Sequence, residues 1–156
     1  MRILAFDPGY ERLGVAVVEK IKGKEKLLHS ACVRTPATLL FDKRLVELGA
    51  AAEALIAQWQ PDAVALEEVF FKGNAKTAMQ VAEVRGMLAY IAASKGLAVH
   101  HYTPSEVKVA VTGHGASDKR AVALMVGKLV ALPAGKRLDD ELDAIAVGIT
   151  CLASVR

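Results

Sequence analysis

The sequence is poor in residues that would staple a fold or anchor it to a membrane. Its two cysteines, Cys32 and Cys151, lie far apart in apolar surroundings, so no disulfide framework is legible. Two buried free thiols in a reducing compartment are the expectation. The four histidines (His29, His100, His101 and His114) fall in no metal-ligand spacing with each other or with the thiols. No apolar run reaches the ~18 residues a bilayer span needs. One arginine ahead of a short strand does not make a signal peptide, so a cytoplasmic protein with no membrane partner is expected. There is no Ser-His-Asp pattern, no phosphate-cradling glycine loop, no internal repeat and no low-complexity segment. What is present is 156 residues, 53% hydrophobic and 24% charged, which fits one compact α/β domain over residues 1–156. A chain of this size buries roughly 68–70% of its unfolded surface and needs no staples.

The stretch Arg2-Ile3-Leu4-Ala5-Phe6-Asp7-Pro8-Gly9 organises the rest. Its apolar run reads as a strand buried on both faces, with Asp7 at the carboxyl end and Pro8-Gly9 breaking it. Residues 13–18 form a second strand, 19–25 a Lys- and Gly-rich hairpin turn, and 26–34 a third strand. Short links make these three antiparallel. A helix over 38–59 carries Leu45, Leu48, Ala52, Leu55, Ile56 and Trp59 on one stripe. A fourth strand, 63–68, follows this crossover and should run parallel to its neighbour. It too ends in an acid, Glu67, so Asp7 and Glu67 can share the sheet's carboxyl edge, where open α/β sheets bind ligands.

Asn74 can cap a helix over 75–94, ended near Gly96. Its small-residue stripe (Met79, Ala82, Val84, Gly86, Met87, Ala89, Tyr90, Ala93) suits close packing, inside the domain or across a dimer. A fifth strand follows at 97–102, and a short helix begins at Thr103-Pro104. Residues 112–116 read as a flexible link. Ser117 caps a helix over 118–132, residues 132–137 form a basic loop, and a last helix covers 139–153. The order βββαβαβααα, with three antiparallel strands first, is that of the ribonuclease-H-like fold: a five-stranded mixed sheet flanked by helices.

The last helix opens Asp139-Asp140-Glu141-Leu142-Asp143. Asp140 and Asp143 are three apart and share a face; Asp139 and Asp143, four apart, also can. The helix dipole accounts for acids in the first turn. It accounts less well for Asp143, which lies between positions of the apolar stripe and turns toward the sheet. Asp7, Glu67, Asp140 and Asp143 in one pocket would repel and raise each other's pKa values. A hard divalent cation relieves this, and oxygen-only ligands suit Mg²⁺ or Mn²⁺. A pair of such ions can activate a water and stabilise the leaving oxygen of a phosphodiester. The net charge of +3 says little by itself, but Lys72, Lys76, Arg85, Lys108, Lys119, Arg120, Lys128, Lys136 and Arg137 all follow Glu67. For any one of them a solvated helix face is the plain explanation.

Over nearly its whole length the chain resembles the RuvC family of Holliday-junction resolvases. The matching pieces are Phe6-Asp7-Pro8-Gly9 with Gly14; Ala65-Leu66-Glu67-Glu68-Val69-Phe70 running on to Asn74-Ala75; Val107 to Gly115 with Asp118-Lys119; and Asp140 to Ala146. The resemblance implies a homodimer that nicks a four-way DNA junction symmetrically, with Mg²⁺ (or Mn²⁺ in its place), in recombination and repair beside a branch-migration helicase complex. By position it implies that Asp7, Glu67, Asp140 and Asp143 are the metal-binding catalytic acids. It implies that Phe70 stacks on an unpaired base, and that Lys108 and Lys119 contact DNA near the scissile phosphate. The helix over 75–94 matches the one that builds the family dimer. Glu68 stands where the family often has Gln, Glu141-Leu142 where small residues are common, and Asp139 is an added acid.

Three other readings compete. A resolvase-like family that trims ribosomal RNA precursors shares the opening but lacks the Val107–Gly115 stretch and the Phe70 loop. An actin or sugar-kinase ATP-binding domain also has an Asp-x-Gly turn, but needs two domains to clamp its nucleotide. A catalytically silent junction-binding protein would be marked by a missing acid, and all four are present.

Overall fold

The computed structural model describes residues 1–68, 74–132, 135 and 137–155. In chain order the elements are β1 (Arg2–Asp7), β2 (Arg12–Ile21), β3 (Lys24–Arg34), α1 (Phe41–Trp59), β4 (Ala63–Glu67), α2 (Ala75–Ser94), β5 (Ala98–Tyr102), α3 (Pro104–Thr112), α4 (Lys119–Leu129) and α5 (Asp139–Ser154). They build a five-stranded sheet in the order β3-β2-β1-β4-β5. The β1–β2 and β2–β3 pairs are antiparallel; β1–β4 and β4–β5 are parallel. This is the expected ribonuclease-H-like mixed sheet. Among the described residues no helix is long and apolar enough to cross a membrane.

Alternation along the strands decides which helix meets which residue. Ile3, Ala5, Ala16, Val18, Ala63 and Ala65 face α5, while Leu4, Phe6, Leu13, Val15, Val17, Val64 and Leu66 face α1 and α2. The α5 face is thus lined with small residues and forms a shallow trough. Helix α5 lies in it with residues 144–152 all buried. A Cβ on Gly148 would stand 2.7 Å from Val18 Cγ2 and 3.3 Å from Ala5 Cβ, so only glycine allows this approach.

Several boundaries differ from those read off the sequence. The hairpin over 19–25 is strand almost throughout: pairing continues to Ile21↔Lys24. The turn is Lys22-Gly23 alone, both with positive φ (51° and 78°), as a two-residue hairpin loop requires. Helix α1 starts at Phe41, and α4 is capped by Asp118 rather than Ser117, the carboxylate accepting from Ala121 N–H at 2.8 Å. The link after α3 is tied down. Thr112 Oγ1 donates to the Lys108 carbonyl at 2.7 Å and meets Ser117 Oγ at 2.7 Å, while Gly113 caps α3 in the left-handed region. Helix α2 and its Asn74 cap stand as expected, but its stripe does not. The core face is Val84, Leu88, Ile91 and Ala92, whereas Met79 and Tyr90 are 61% and 73% exposed. At 100° per residue the expected stripe merges two opposite rows. Cys151 is buried and Cys32 only half-buried, and both are free.

The turn between β1 and β2 is held from two sides. Thr35 Oγ1 donates to the Tyr10 carbonyl at 2.6 Å, and Thr35 N–H to the Glu11 carbonyl at 3.1 Å. Arg44, buried beneath, donates to the carbonyls of Leu39 and Ala37, lies 3.7 Å from Glu11 Oε1, and stacks its guanidinium 5.5 Å from the Tyr10 ring centre.

Candidate active site

Asp7 ends β1 and Glu67 ends β4. The register Phe6↔Leu66 brings them side by side, and alternation turns both toward α5. Opposite Asp7 on β2 is Gly14. A Cβ there would stand 2.0 Å from the Asp140 carbonyl oxygen and 3.2 Å from Asp7 Cβ. The bare backbone at 14 is therefore what admits the first turn of α5, with Asp140 and Asp143, to the end of β1.

The carboxyl of Asp7 is pushed well above its ordinary value, first by burial, then by the charges of Glu67, Asp143 and Asp140. Glu67 is also raised, by burial and then by Asp143, against the opposing pull of a hydrogen bond to Asp7 and the charges of Lys119 and Lys108. The contact between the two carboxyls thus raises Asp7 and lowers Glu67. The other two acids have cationic neighbours. Lys119 Nζ donates to Asp143 Oδ2 at 2.9 Å, and this bond is the main reason the lysine's pKa is raised. Arg12 Nε stands 3.4 Å from Asp140 Oδ2. That contact is one of charge only, since Asp140 Oδ2 is buried without a hydrogen-bond partner.

Beside the acids lies a cleft of about 270 Å³, with Glu67, Lys108, Lys119 and Asp143 on its polar side and Pro104, Val107 and Val122 along its apolar side. The structure therefore gathers Asp7, Glu67, Asp140, Asp143, Lys108 and Lys119 at one sheet edge. Phe70 lies outside the described residues. Of the two acids closing β4, Glu67 is the one that meets Asp7, while Glu68 N–H continues the ladder to the Tyr102 carbonyl. Asp139 is exposed, one residue ahead of the cluster.

Three features were not nominated from sequence. Arg12 is one; its position at the start of β2, at the edge where β1 ends, was the available signal. Arg34 is another, directly opposite Arg12 on β3. The third is a tie between Ser30 and Glu141, where the hydroxyl donates to Oε2 at 2.9 Å and fastens the start of α5 to β3. Nothing local in the sequence joins those two residues.

The donor set suits a hard divalent cation. It is all oxygen, Asp140 Oδ2 is buried and orphaned, and Asp7 carries a burial penalty that a cation would relieve. Among the described residues no three of these side chains stand at metal-ligand spacing around one point, so ligation needs side-chain rotation from the arrangement seen.

Comparison with known proteins agrees with this geometry. The family model described as "Crossover junction endodeoxyribonuclease RuvC" matches residues 3–151. A curated relative of that name from Syntrophomonas wolfei is 40% identical over 156 residues, covering 100% of this chain and 91% of its own. One from Mycolicibacterium smegmatis is 43% identical over 150 residues, covering 96% and 81%. Among solved structures, T. thermophilus RuvC in complex with Holliday junction substrate superposes with a TM-score of 0.89 at 34% identity, covering 96% of this chain and 92% of that one. The yeast mitochondrial Holliday junction resolvase (TM-score 0.72, 11% identity, covering 96% and 76%) shares the fold. The oxygen-rich edge and the whole-length match lead to one assignment: the chain belongs to the RuvC family of crossover junction endodeoxyribonucleases.

Proposed function

We propose that this endonuclease resolves four-way DNA junctions by paired symmetric nicks, using Mg²⁺, for which Mn²⁺ substitutes, with residues 1–156 acting as one nuclease domain. The observation that carries the reading is Asp7, buried against three other acids at the sheet edge. The junction substrate is supported by the solved relative whose complex contains one.

Asp7, Glu67, Asp140 and Asp143 would hold the metal. When bound, it lowers the pKa of an attacking water and offsets charge on the phosphodiester oxygens. The protein's own part is positioning. Asp7 and Glu67 are fixed by the sheet register, and Asp140 and Asp143 by α5 in its trough. Lys108 and Lys119 line the cleft where the scissile phosphate would sit, and amines there favour the charge that develops in transfer. Phe70 is proposed to stack on an unpaired base at the junction centre, a contact that tolerates any sequence. A homodimer built on α2 is supported by Met79 and Tyr90, apolar side chains exposed away from the core. Two-fold symmetry would then give each subunit an equivalent strand. A branch-migration helicase is the expected cellular partner.

The test uses an end-labelled synthetic four-way junction with Mg²⁺, then with EDTA, beside a linear duplex and a structured RNA. The expected result is symmetric nicks in the junction alone, lost in EDTA. Cleavage of RNA instead moves the protein to precursor trimming. Tight binding without cutting in Mg²⁺ or Mn²⁺ means that the acids do not form a working metal site.

A further inference from the structure

The acids at the sheet edge are flanked by cations on both sides, and only one flank belongs to the machinery above. Along the edge, strand by strand, the order is Arg34 on β3, Arg12 on β2, Asp7 on β1 and Glu67 on β4, with Lys119 and Lys108 beyond. Arg12 and Arg34 are partners across the β2–β3 ladder. Directly opposed residues of an antiparallel pair project to the same face, and like charges in that position are destabilising. The face is the one that carries Asp7: Gly14 pairs with both Asp7 and Cys32, and Arg12 and Arg34 stand two residues further along their strands.

Neither guanidinium is consumed by the fold. Arg12 is exposed and touches Asp140 only through Nε, and its terminal nitrogens make no hydrogen bond among the described residues. Arg34 is exposed, has the Cys32 thiol beside it, and makes no ion pair among the described residues. Their backbones, by contrast, are fixed. Thr35 ties the end of β3 to the Tyr10 and Glu11 carbonyls of the turn that leads into Arg12. A Cβ on Gly9 would stand 2.2 Å from the Arg12 carbonyl oxygen, so that turn is closed tightly against the start of β2. Two exposed planar donors on a rigid frame, kept side by side against their mutual repulsion, are built to share an anion.

We propose that Arg12 and Arg34 form a phosphate subsite on the β3 side of the acid cluster, which grips the backbone of the cleaved DNA strand at a phosphate within about three nucleotides of the scissile one. The proposal rests on the nuclease reading and extends it. Strand spacing puts Arg12 about 5 Å and Arg34 about 10 Å from the line of β1. Those distances are about one and a half and about three nucleotides at the roughly 3.4 Å axial rise of one strand. Lys108 and Lys119 hold the strand on one side of the cut and the arginine pair on the other, so the scissile bond is stretched across the acids. The fork of an arginine suits bidentate contact with phosphate oxygens. Arg12 also keeps Asp140 near the cluster, so DNA engagement and the acid site meet in a single side chain.

The experiment measures binding of a synthetic four-way junction in EDTA across a salt series, for the native protein, Arg12→Gln, Arg34→Gln, the double variant and Arg34→Lys. Each lost phosphate contact lowers the slope of log K against log salt by about 1. The expected result is a loss of less than about 1 for each single variant and about 1 for the double, since the two arginines serve one phosphate. Arg34→Lys should keep the native slope, and Arg34→Gln should melt no earlier than the native protein. The proposal is overturned if the double variant keeps the native slope while Lys108→Gln loses its share. It is equally overturned if Arg34→Gln melts early and binds weakly only in proportion to unfolding. Failure of the native protein to bind the junction at all would instead strike the nuclease reading on which the subsite rests.

Discussion

In its C-terminal two-thirds α5 packs dry, with residues 144–152 buried in a trough of alanines and Gly148 against Val18. In its first turn the same helix brings Asp140 and Asp143 to Asp7 and Glu67, where burial and like charge both oppose ionisation. One end lowers the free energy of the fold and the other raises it. The difference teaches where the site's precision comes from: the stable end fixes the helix axis, and the axis delivers the acids to a place they would not choose by electrostatics.

The sharpest way to break this contrast is to remove the strain at its centre. Asp7→Asn should lower cleavage by more than about 10²-fold, since even residues behind a metal ligand commonly cost 10–100-fold. The same change should raise thermal stability at neutral pH in chelator. Asp7 has its folded pKa raised above the ordinary 3.8, so the penalty for its charge is absent below about pH 4 and grows as pH rises through that value. The gain in Tm, about 2–4 °C for each kcal/mol at this size, should therefore shrink to nothing as the pH is lowered toward 4. Calorimetry of both proteins from pH 3.5 to 7.5 checks it. Equal melting at every pH would mean that the cluster is not strained.

Two glycines at the contact between α5 and the sheet, Gly148 on the helix and Gly14 on β2, separate its ends. Gly148→Ala puts a Cβ 2.7 Å from Val18 Cγ2, a side chain that can yield, and should cost about 1–3 kcal/mol in denaturant unfolding. Gly14→Ala meets the Asp140 carbonyl at 2.0 Å, where only the helix itself can move. A displacement near 1 Å at catalytic groups can cost about 10²-fold in rate. Gly14→Ala should accordingly lose far more activity than Gly148→Ala for a similar loss of stability. If the two variants lose activity equally, the first turn of α5 is not what positions the acids.

Much of this was legible in the sequence, for identifiable reasons. The two acid-terminated strands announced themselves because a buried apolar run ending in a carboxylate is costly, and the crossover between them fixed a shared edge. Asp143 stood out because it interrupts an apolar stripe. The extent of the β2–β3 hairpin was not legible, because charged residues on an exposed strand end look like those of a loop. The exposed row of α2 was missed because Ala and Gly mark no face of a helix. Arg12 and Arg34 were missed because their relation is one of register, which no single segment contains, and the approach of Asp140 to Gly14 is a long-range contact of the same kind.

The smallest predicted effect tests whether the strained end needs support of its own. Ser30 lies on β3 and donates to Glu141 in the first turn of α5, the one described hydrogen bond between their side chains. The pair is partly exposed, so Ser30→Ala should cost only about 1 kcal/mol in unfolding. Its effect on cleavage separates two accounts of how the acids are held. If the dry C-terminal end alone fixes the helix axis, kcat stays at the native value. If the first turn must also be fastened, kcat falls several-fold while junction binding in EDTA does not change, because Ser30 lies away from the cleft-lining lysines. The expected outcome is the second, since the repulsion among Asp7, Glu67 and Asp143 pushes that turn away from the sheet and a hydrogen bond to β3 directly resists it.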